Sequence, residues 1–320
     1  MAVYIYKSNS GDGWRNLAAD RYFLENLGAD DIMLYFYIND NAVIIGRNQN
    51  AWKECNVSRM DEEGVQLVRR HTGGGAVYHD RGNLNFSFIM GEKNYDLDRQ
   101  MSVIVRTMKK LGFAAEASGR NDILIDGKKF SGNAFGVVKG MCGHHGTLLV
   151  SADLSKLANY LNVSEKKIRS KGIASVRSRV VNLSELDKTV TVEAVEQALR
   201  ETFAEEYGTA REYQIDEAAE KVIAELYEEQ RSWEWRLGNT MKFDYQIDDR
   251  FSFGDMQILL TLQKGIVSEA EVYTDALDTG LSEKIENVLH GIRFDAQELA
   301  NALDKAGQTE LSEYFSKLEL

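Results

Sequence analysis

The sequence predicts an α+β protein in two unequal parts, and three observations carry that reading. Several stretches alternate apolar and polar residues with period two between glycine-containing turns. Others repeat apolar residues at helical spacing. After Trp233-Glu234-Trp235-Arg236-Leu237-Gly238-Asn239 the pattern changes, which puts a domain boundary near residues 245–250.

Taken in order, Trp14, Leu17, Leu24 and Leu27 predict an N-terminal helix. Residues 32–38 and 42–45 predict a hairpin about Asn39-Asp40-Asn41. Val65, Leu67 and Arg69 alternate with Gln66, Val68 and Arg70, so a strand feeds the run Gly73-Gly74-Gly75. Leu84, Phe86, Phe88 and Met90 share one face of a further strand, with Asn83, Asn85 and Ser87 on the other. Met101, Ile104, Val105, Met108 and Leu111 predict an amphipathic helix ended by Gly112. Residues 123–130 read as a hairpin turning at Asp126-Gly127, 147–150 as a strand and 154–161 as a short helix. Helices follow at 193–203 and 217–227. Beyond the boundary, 251–264 and 266–273 pair as strands, with helices near 283–289, 296–303 and 310–318.

Composition bounds the class. Of 320 residues, 43% are hydrophobic and 28% charged, the balance of a globular chain. No apolar run approaches the roughly 20 residues that span a bilayer. The first residues lack a basic segment followed by an apolar one, so no signal peptide is expected and the cytoplasm is the default location. Two cysteines, Cys55 and Cys142, give neither a disulfide framework nor zinc-ligand spacing. Residues 185–320 hold 13 basic and 31 acidic side chains, a net −18, which leaves +6 on residues 1–184. The first part can therefore hold anions while the whole stays soluble. There is no proline, which removes slow X-Pro isomerisation from folding.

Arg69-Arg70-His71-Thr72-Gly73-Gly74-Gly75 is the densest candidate site. Three glycines let a ligand approach backbone amides, and guanidinium groups are planar donors for a carboxylate or phosphate. Gly119-Arg120-Asn121-Asp122 and Gly127-Lys128-Lys129-Phe130-Ser131-Gly132 add short polar groups and a lysine that the pleat can turn inward. His144 and His145 are adjacent on a strand and point opposite ways, a poor chelating pair. Basic, glycine and serine residues interleave at 166–179, as in a loop that closes over a phosphate. No Gly-x-x-x-x-Gly-Lys-Ser/Thr or Gly-x-Gly-x-x-Gly is present, so any ATP use follows another architecture.

In order and spacing, these segments resemble the lipoate–protein ligase family. The resemblance rests on Ile45-Gly46-Arg47-Asn48-Gln49-Asn50, 69–80, 119–122, 128–134, 144–147 and 171–183, and covers nearly the whole chain. It implies a large biotin/lipoate-ligase-like catalytic domain of mixed sheets flanked by helices, residues 1–246. A small C-terminal α+β domain, 247–320, would follow. It implies that ATP, with Mg²⁺, activates lipoate to lipoyl-AMP with release of pyrophosphate. The lipoyl group then passes to a lysine of carrier domains, in 2-oxoacid dehydrogenase complexes and the glycine cleavage H protein. Neither nucleic acid nor membrane is an implied partner.

By the same resemblance Arg70, Gly73, Gly74, Gly75, Val77, Tyr78, His145, Gly146 and Thr147 border lipoate or its adenylate. Asn121, Asp122, Lys129, Lys171, Ser175, Val176 and Arg177 border the nucleotide, with Asp122 a candidate Mg²⁺ ligand. Lys129 is the catalytic residue, a fixed cation beside the carboxylate and phosphate oxygens. The family commonly carries proline at the places of Ala51, Val163 and Met241. Two rivals share the fold: an octanoyltransferase, for which Cys142 is the conceivable nucleophile, and a non-catalytic lipoyl-binding subunit. A biotin ligase is disfavoured because its Gly-Arg-Gly-Arg loop is missing.

Overall fold

The computed structural model describes residues 1–119, 121–161, 180–237 and 244–318. Its centre is an eight-stranded mixed sheet in the order β11-β1-β2-β6-β10-β9-β8-β7. The strands are β1 Val3–Lys7, β2 Ile32–Tyr37, β6 Asn83–Gly91, β7 Ala115–Ser118, β8 Asp122–Ile125, β9 Lys128–Val138, β10 Met141–Leu149 and β11 Arg211–Glu212. β1 runs parallel to β2 and β11, and the pairs from β2 to β7 are antiparallel.

β2 and β6 are buried along their whole length because both faces are covered. Period two sorts their side chains. Ile32, Leu34 and Phe36 join Leu84, Phe86, Phe88 and Met90 in one core, against helix α4 (Leu97–Lys110) and the helix Val192–Tyr207. Met33, Tyr35 and Tyr37 enter a second core under helix α1 (Gly13–Asn26). α1 starts where the Asp12 carboxylate accepts from the amides of Trp14 and Arg15. α4 is capped likewise by Asp96 and ends at Gly112, whose φ of 87° suits a residue without Cβ. The β8–β9 hairpin turns through Asp126 and Gly127, both at positive φ, as the Asp-Gly pair predicts.

One expectation fails. The segments around Asn39-Asp40-Asn41 do not form a hairpin. β2 belongs to the large sheet, whereas β3 (Asn41–Ile45) lies in a separate sheet between β4 (Gln66–Arg69) and β5 (Val77–Asp80). The chain crosses between layers here, held by the Asn16 amide donating to the Ile38 carbonyl and the Asn39 side chain. Two apolar runs about a polar turn look the same in sequence whether or not they pair. The strand around Thr147 begins earlier than expected, at Met141.

The C-terminal unit is a β12-β13-β14 meander, Tyr245–Phe251, Gly254–Gln263 and Ile266–Thr274, under helices Leu281–Leu289, Ala296–Lys305 and Thr309–Phe315. Its core draws on residues 247–315, while the other cores draw on residues 3–237. Pairing begins at Tyr245↔Leu260, two residues ahead of a 246/247 boundary. Ala51 opens the short helix Ala51–Glu54, whose Asn50 cap does not need the proline expected there.

Candidate active site

The glycine loop follows β4, and neighbouring residues there point to opposite faces. Arg69 turns toward the second face of the small sheet. All its bonds go to backbone carbonyls: Trp235 (2.9 Å), Gly46 (3.2 Å), Arg47 (2.8 Å), Gln49 (2.7 Å) and Arg236 (2.9 Å). Arg70 turns inside the loop. Its guanidinium donates to the carbonyls of Gly73 (3.0 and 2.7 Å), Gly75 (2.8 Å) and Ile44 (3.3 Å). Burial pulls both arginines down to about 10, still cationic at neutral pH. Arg70 therefore acts as the loop's internal brace and as a buried positive charge, with its donors spent on backbone.

The glycines are required by close approach. A Cβ on Gly46 would overlap the Gly74 carbonyl, and one on Gly73 would overlap the Ala276 carbonyl of the C-terminal unit. The Gly74 amide donates to that Ala276 carbonyl at 3.2 Å, and Asn48 bonds the same unit through Thr274 and Thr279. The Lys53–Asp248 ion pair adds to this junction. Part of the loop's bare backbone thus receives protein rather than standing open to a ligand.

Beneath the loop lies a floor of small side chains. On β9 and β10 residues two apart share a face, and His145 stands opposite Ala134 and Gly143 opposite Gly136. The loop meets this floor twice. A Cβ on Gly74 would reach Ala134 at 3.8 Å, and the Thr72 methyl lies so close to Gly136 that a Cβ there would approach it to 2.9 Å. Leu24 of α1 covers Gly143 in the same way.

Lys129 sits at one end of this floor. A register shift in the β8–β9 pairing makes Ser131 face Ile123 and Lys129 face Leu124. Such a bulge changes the parity of the pleat, so Lys129 lands on the same side as Gly132 three residues on. Its ammonium is 2.6 Å from Asp122 Oδ1 and within 2.8 Å of where a Gly132 Cβ would be. Thr147 Oγ1 accepts from the Gly132 amide at 3.3 Å. Lys128 is exposed, so Lys129 is the inward lysine. Asn121 fastens this corner: its amide donates to the Asn133 carbonyl at 2.8 Å and its carbonyl accepts from the Asn133 backbone at 2.9 Å.

At the other end, His145 Nε2 is 2.5 Å from Thr72 Oγ1 and Nδ1 is 3.5 Å from Asp20 Oδ2. Asp20 carried no signal in the sequence beyond being a carboxylate on an apolar helix face. His144 points the opposite way, as adjacent strand residues must. It lies 2.9 Å from each of the side-chain amides of Gln100 and Asn133, and burial pushes it down to about 3, so the neutral ring donates to one amide and accepts from the other.

Gly146 and Tyr78 fall elsewhere. Gly146 shares the His144 face, where a Cβ would collide with Phe86. Val77 packs beside the α1 core, whereas Tyr78 enters the core on the far side of the small sheet and donates to Asn41 Oδ1 at 2.9 Å. Tyr78 is thus set apart from Arg70 and Thr72, because neighbours on β5 diverge. Lys171, Ser175, Val176 and Arg177 lie outside the described residues, as do Arg120, Val163 and Met241.

A glycine loop packed over a small-residue floor, with a buried arginine inside it and a lysine held at one end, is the arrangement of an enzyme that handles an anionic substrate. Two family models match the chain: the lipoyl protein ligase A/B catalytic domain over residues 12–204 and the bacterial lipoate protein ligase C-terminus over 240–320. The chain belongs to the lipoate–protein ligase family.

Solved structures agree. LipL1 of P. falciparum in complex with lipoate is 27% identical, with a TM-score of 0.86, covering 99% of this chain and 100% of that one. A bipartite lipoate protein ligase of Thermoplasma acidophilum, solved with its E2 lipoyl domain, is 33% identical over 76% of this chain and 98% of its own, TM-score 0.68. A lipoate-protein ligase A bound with ATP is 30% identical over 74% and 98%, TM-score 0.65.

Proposed function

We propose that the protein activates lipoate with ATP to lipoyl-AMP, releasing pyrophosphate, and transfers the lipoyl group to a lysine of lipoyl carrier domains. Carrier domains of 2-oxoacid dehydrogenase complexes and the glycine cleavage H protein are the acceptors of this reading. The cytoplasm is its compartment, and among the described residues no helix is long and apolar enough to cross a membrane. The relatives described above, one with lipoate, one with ATP and one with its E2 lipoyl domain, support the reading. We divide the chain between a catalytic domain and a C-terminal domain ahead of Asp244, whose amide already bonds the Leu260 carbonyl.

The observation that carries it is Lys129 at the head of the groove. A lipoate carboxylate attacking the α-phosphorus of ATP brings two anions together, and a fixed ammonium there offsets their repulsion. The same charge stabilises the oxyanion when the carrier amine attacks the acyl carbon. Asp122 holds that ammonium in place, and Gly132, lacking a Cβ, leaves it room. Arg70 contributes the field of a buried cation, with Gly73–Gly75 as the roof, and Val77, His145 and Thr147 border the chain. Asn121 shapes the nucleotide corner.

Among the described residues no three metal-ligating side chains cluster. Magnesium often takes only one or two carboxylates, with phosphates and water completing its shell. Asp122 suits that role, since Oδ1 faces Lys129 and Oδ2 remains for an ion arriving with the nucleotide. Bound there, the ion neutralises phosphate charge. Lys171, Ser175, Val176 and Arg177 stay in the proposal as the adenylate loop.

Lipoate-stimulated ATP–pyrophosphate exchange tests the reading. Lys129→Ala is expected to abolish exchange and Cys142→Ser to preserve it. The Cys142 thiol is buried and pushed up by burial and Glu92, and it lies on the strand face opposite His145. ATP-independent octanoyl transfer lost in Cys142→Ser would overturn the proposal.

The acidic C-terminal part repels acidic carriers at long range, so docking belongs to the basic N-terminal part. Association with an acidic carrier domain is expected to weaken several-fold between 50 and 300 mM salt, on the order of the Debye screening there. A flat salt profile, measured by biolayer interferometry, would count against it.

A further inference from the structure

β4 is an edge strand of the small sheet, and its free side is closed by side chains. The Trp14 indole donates to the Leu67 carbonyl at 2.8 Å, and the Trp235 indole donates to the Arg69 carbonyl at 3.0 Å. Two indoles thus stand where a further strand would pair. Trp235 reaches this edge from the short helix Trp233–Leu237, which the buried Leu237 anchors in the core of the small sheet.

Trp235 holds the residues on both sides of Arg70. With Arg69 it forms a reciprocal pair: the indole gives one bond, and the Arg69 guanidinium returns another to the Trp235 carbonyl at 2.9 Å. Its ring stacks on His71, with centroids 4.6 Å apart and planes 28° from parallel. His71 is gripped from α9 (Glu217–Arg231) as well, since its Nε2 lies 2.9 Å from the Gln230 side-chain amide.

The same Arg69 reaches the glycine loop. Its guanidinium donates to the Gly46 carbonyl at 3.2 Å, and Gly46 packs so closely on the Gly74 carbonyl that a Cβ there would stand 2.1 Å from it. Close-packed neighbours pass a displacement on rather than absorb it. The nucleotide corner is held separately, by Asn121 on Asn133 and by Asp122 on Lys129.

We propose that Trp235 is a positioning residue for lipoate. It fixes residues 69 and 71, and through them the height of Gly73–Gly75 over the small-residue floor. It acts through the loop rather than on the reacting atoms. This rests on the lipoate reading given above. Loss of Trp235 therefore loosens the hold on lipoate and spares the hold on ATP.

Lipoate-stimulated ATP–pyrophosphate exchange by the full chain, with each substrate varied in turn, tests this. Trp235→Leu, which removes both the donor and the ring, is expected to raise the lipoate KM about tenfold. The ATP KM and kcat should stay within about twofold of wild type. Trp235→Phe keeps a ring against His71 and loses only the donor to Arg69, so its lipoate KM should rise about threefold. It also carries the test where the leucine variant folds poorly. His71→Ala removes the stack from the other side and should shift the lipoate KM in the same direction, with the ATP KM unmoved. A lipoate KM unchanged in all three variants overturns this inference alone. So does an equal rise in both KM values, or a fall in kcat with both unchanged, since each marks a general loss of structure. A wild-type chain without lipoate-stimulated exchange overturns it together with the ligase reading.

Discussion

Arg70→Lys is expected to destabilise the protein by about 3 kcal/mol and to cut lipoate-dependent exchange at least about tenfold. The charge survives this change, but the planar fork does not. Arg70 serves the carbonyls of Gly73, Gly75 and Ile44 together, and an ammonium is a compact donor that reaches fewer of them. Each buried carbonyl left without a donor costs about 1–3 kcal/mol. The loop so loosened is the roof of the groove, so activity falls with stability. A thermal melt should show Tm lower by roughly 5–10 °C. Normal Tm with lost exchange would mean instead that Arg70 meets the substrate directly, the role suggested by the sequence.

That contrast shows where sequence reading stops. Leu84, Phe86, Phe88 and Met90 were legible as one buried face because alternation alone sorts a strand. The Asp126-Gly127 turn was legible because its positive φ values admit few residues. Lys129 was singled out beside Lys128 by resemblance, but the reason it faces inward, a bulge opposite Ile123/Leu124, has no sequence mark. The resemblance puts Asp122 at the nucleotide, yet its engagement with Lys129 depends on strand register. Tyr78 follows Val77 in the motif, and only the pleat shows that one turns from the groove. Asp20 has no mark in the sequence, because a carboxylate one helical turn after Leu17 reads as a solvated position until β10 supplies His145. Local pattern fixes which face a residue occupies; the partner across the gap comes from topology.

Protonation of buried histidines sets the second large effect, a loss of stability in mild acid. His79 and His144 are almost wholly buried, and burial pushes each from its usual 6.5 down to about 3. The Arg70 cation adds to this for His79. In the unfolded chain both titrate near 6.5. Between those values the unfolded state binds more protons, so stability falls as pH falls through 6.5 and goes on falling toward 3. At pH 5 the two histidines together cost on the order of 4 kcal/mol relative to pH 7.5. That is a large share of the 5–15 kcal/mol typical of a folded protein. His71, stacked on Trp235 and also pushed down to about 3, adds less because it is only partly shielded from solvent. The urea midpoint should therefore drop steeply from pH 7.5 to 5. His144→Gln, which keeps amide donors and acceptors between Gln100 and Asn133, should flatten the slope even if its midpoint at pH 7.5 is lower. A midpoint independent of pH over this range would show that these imidazoles find protons in the folded state as readily as in the unfolded one.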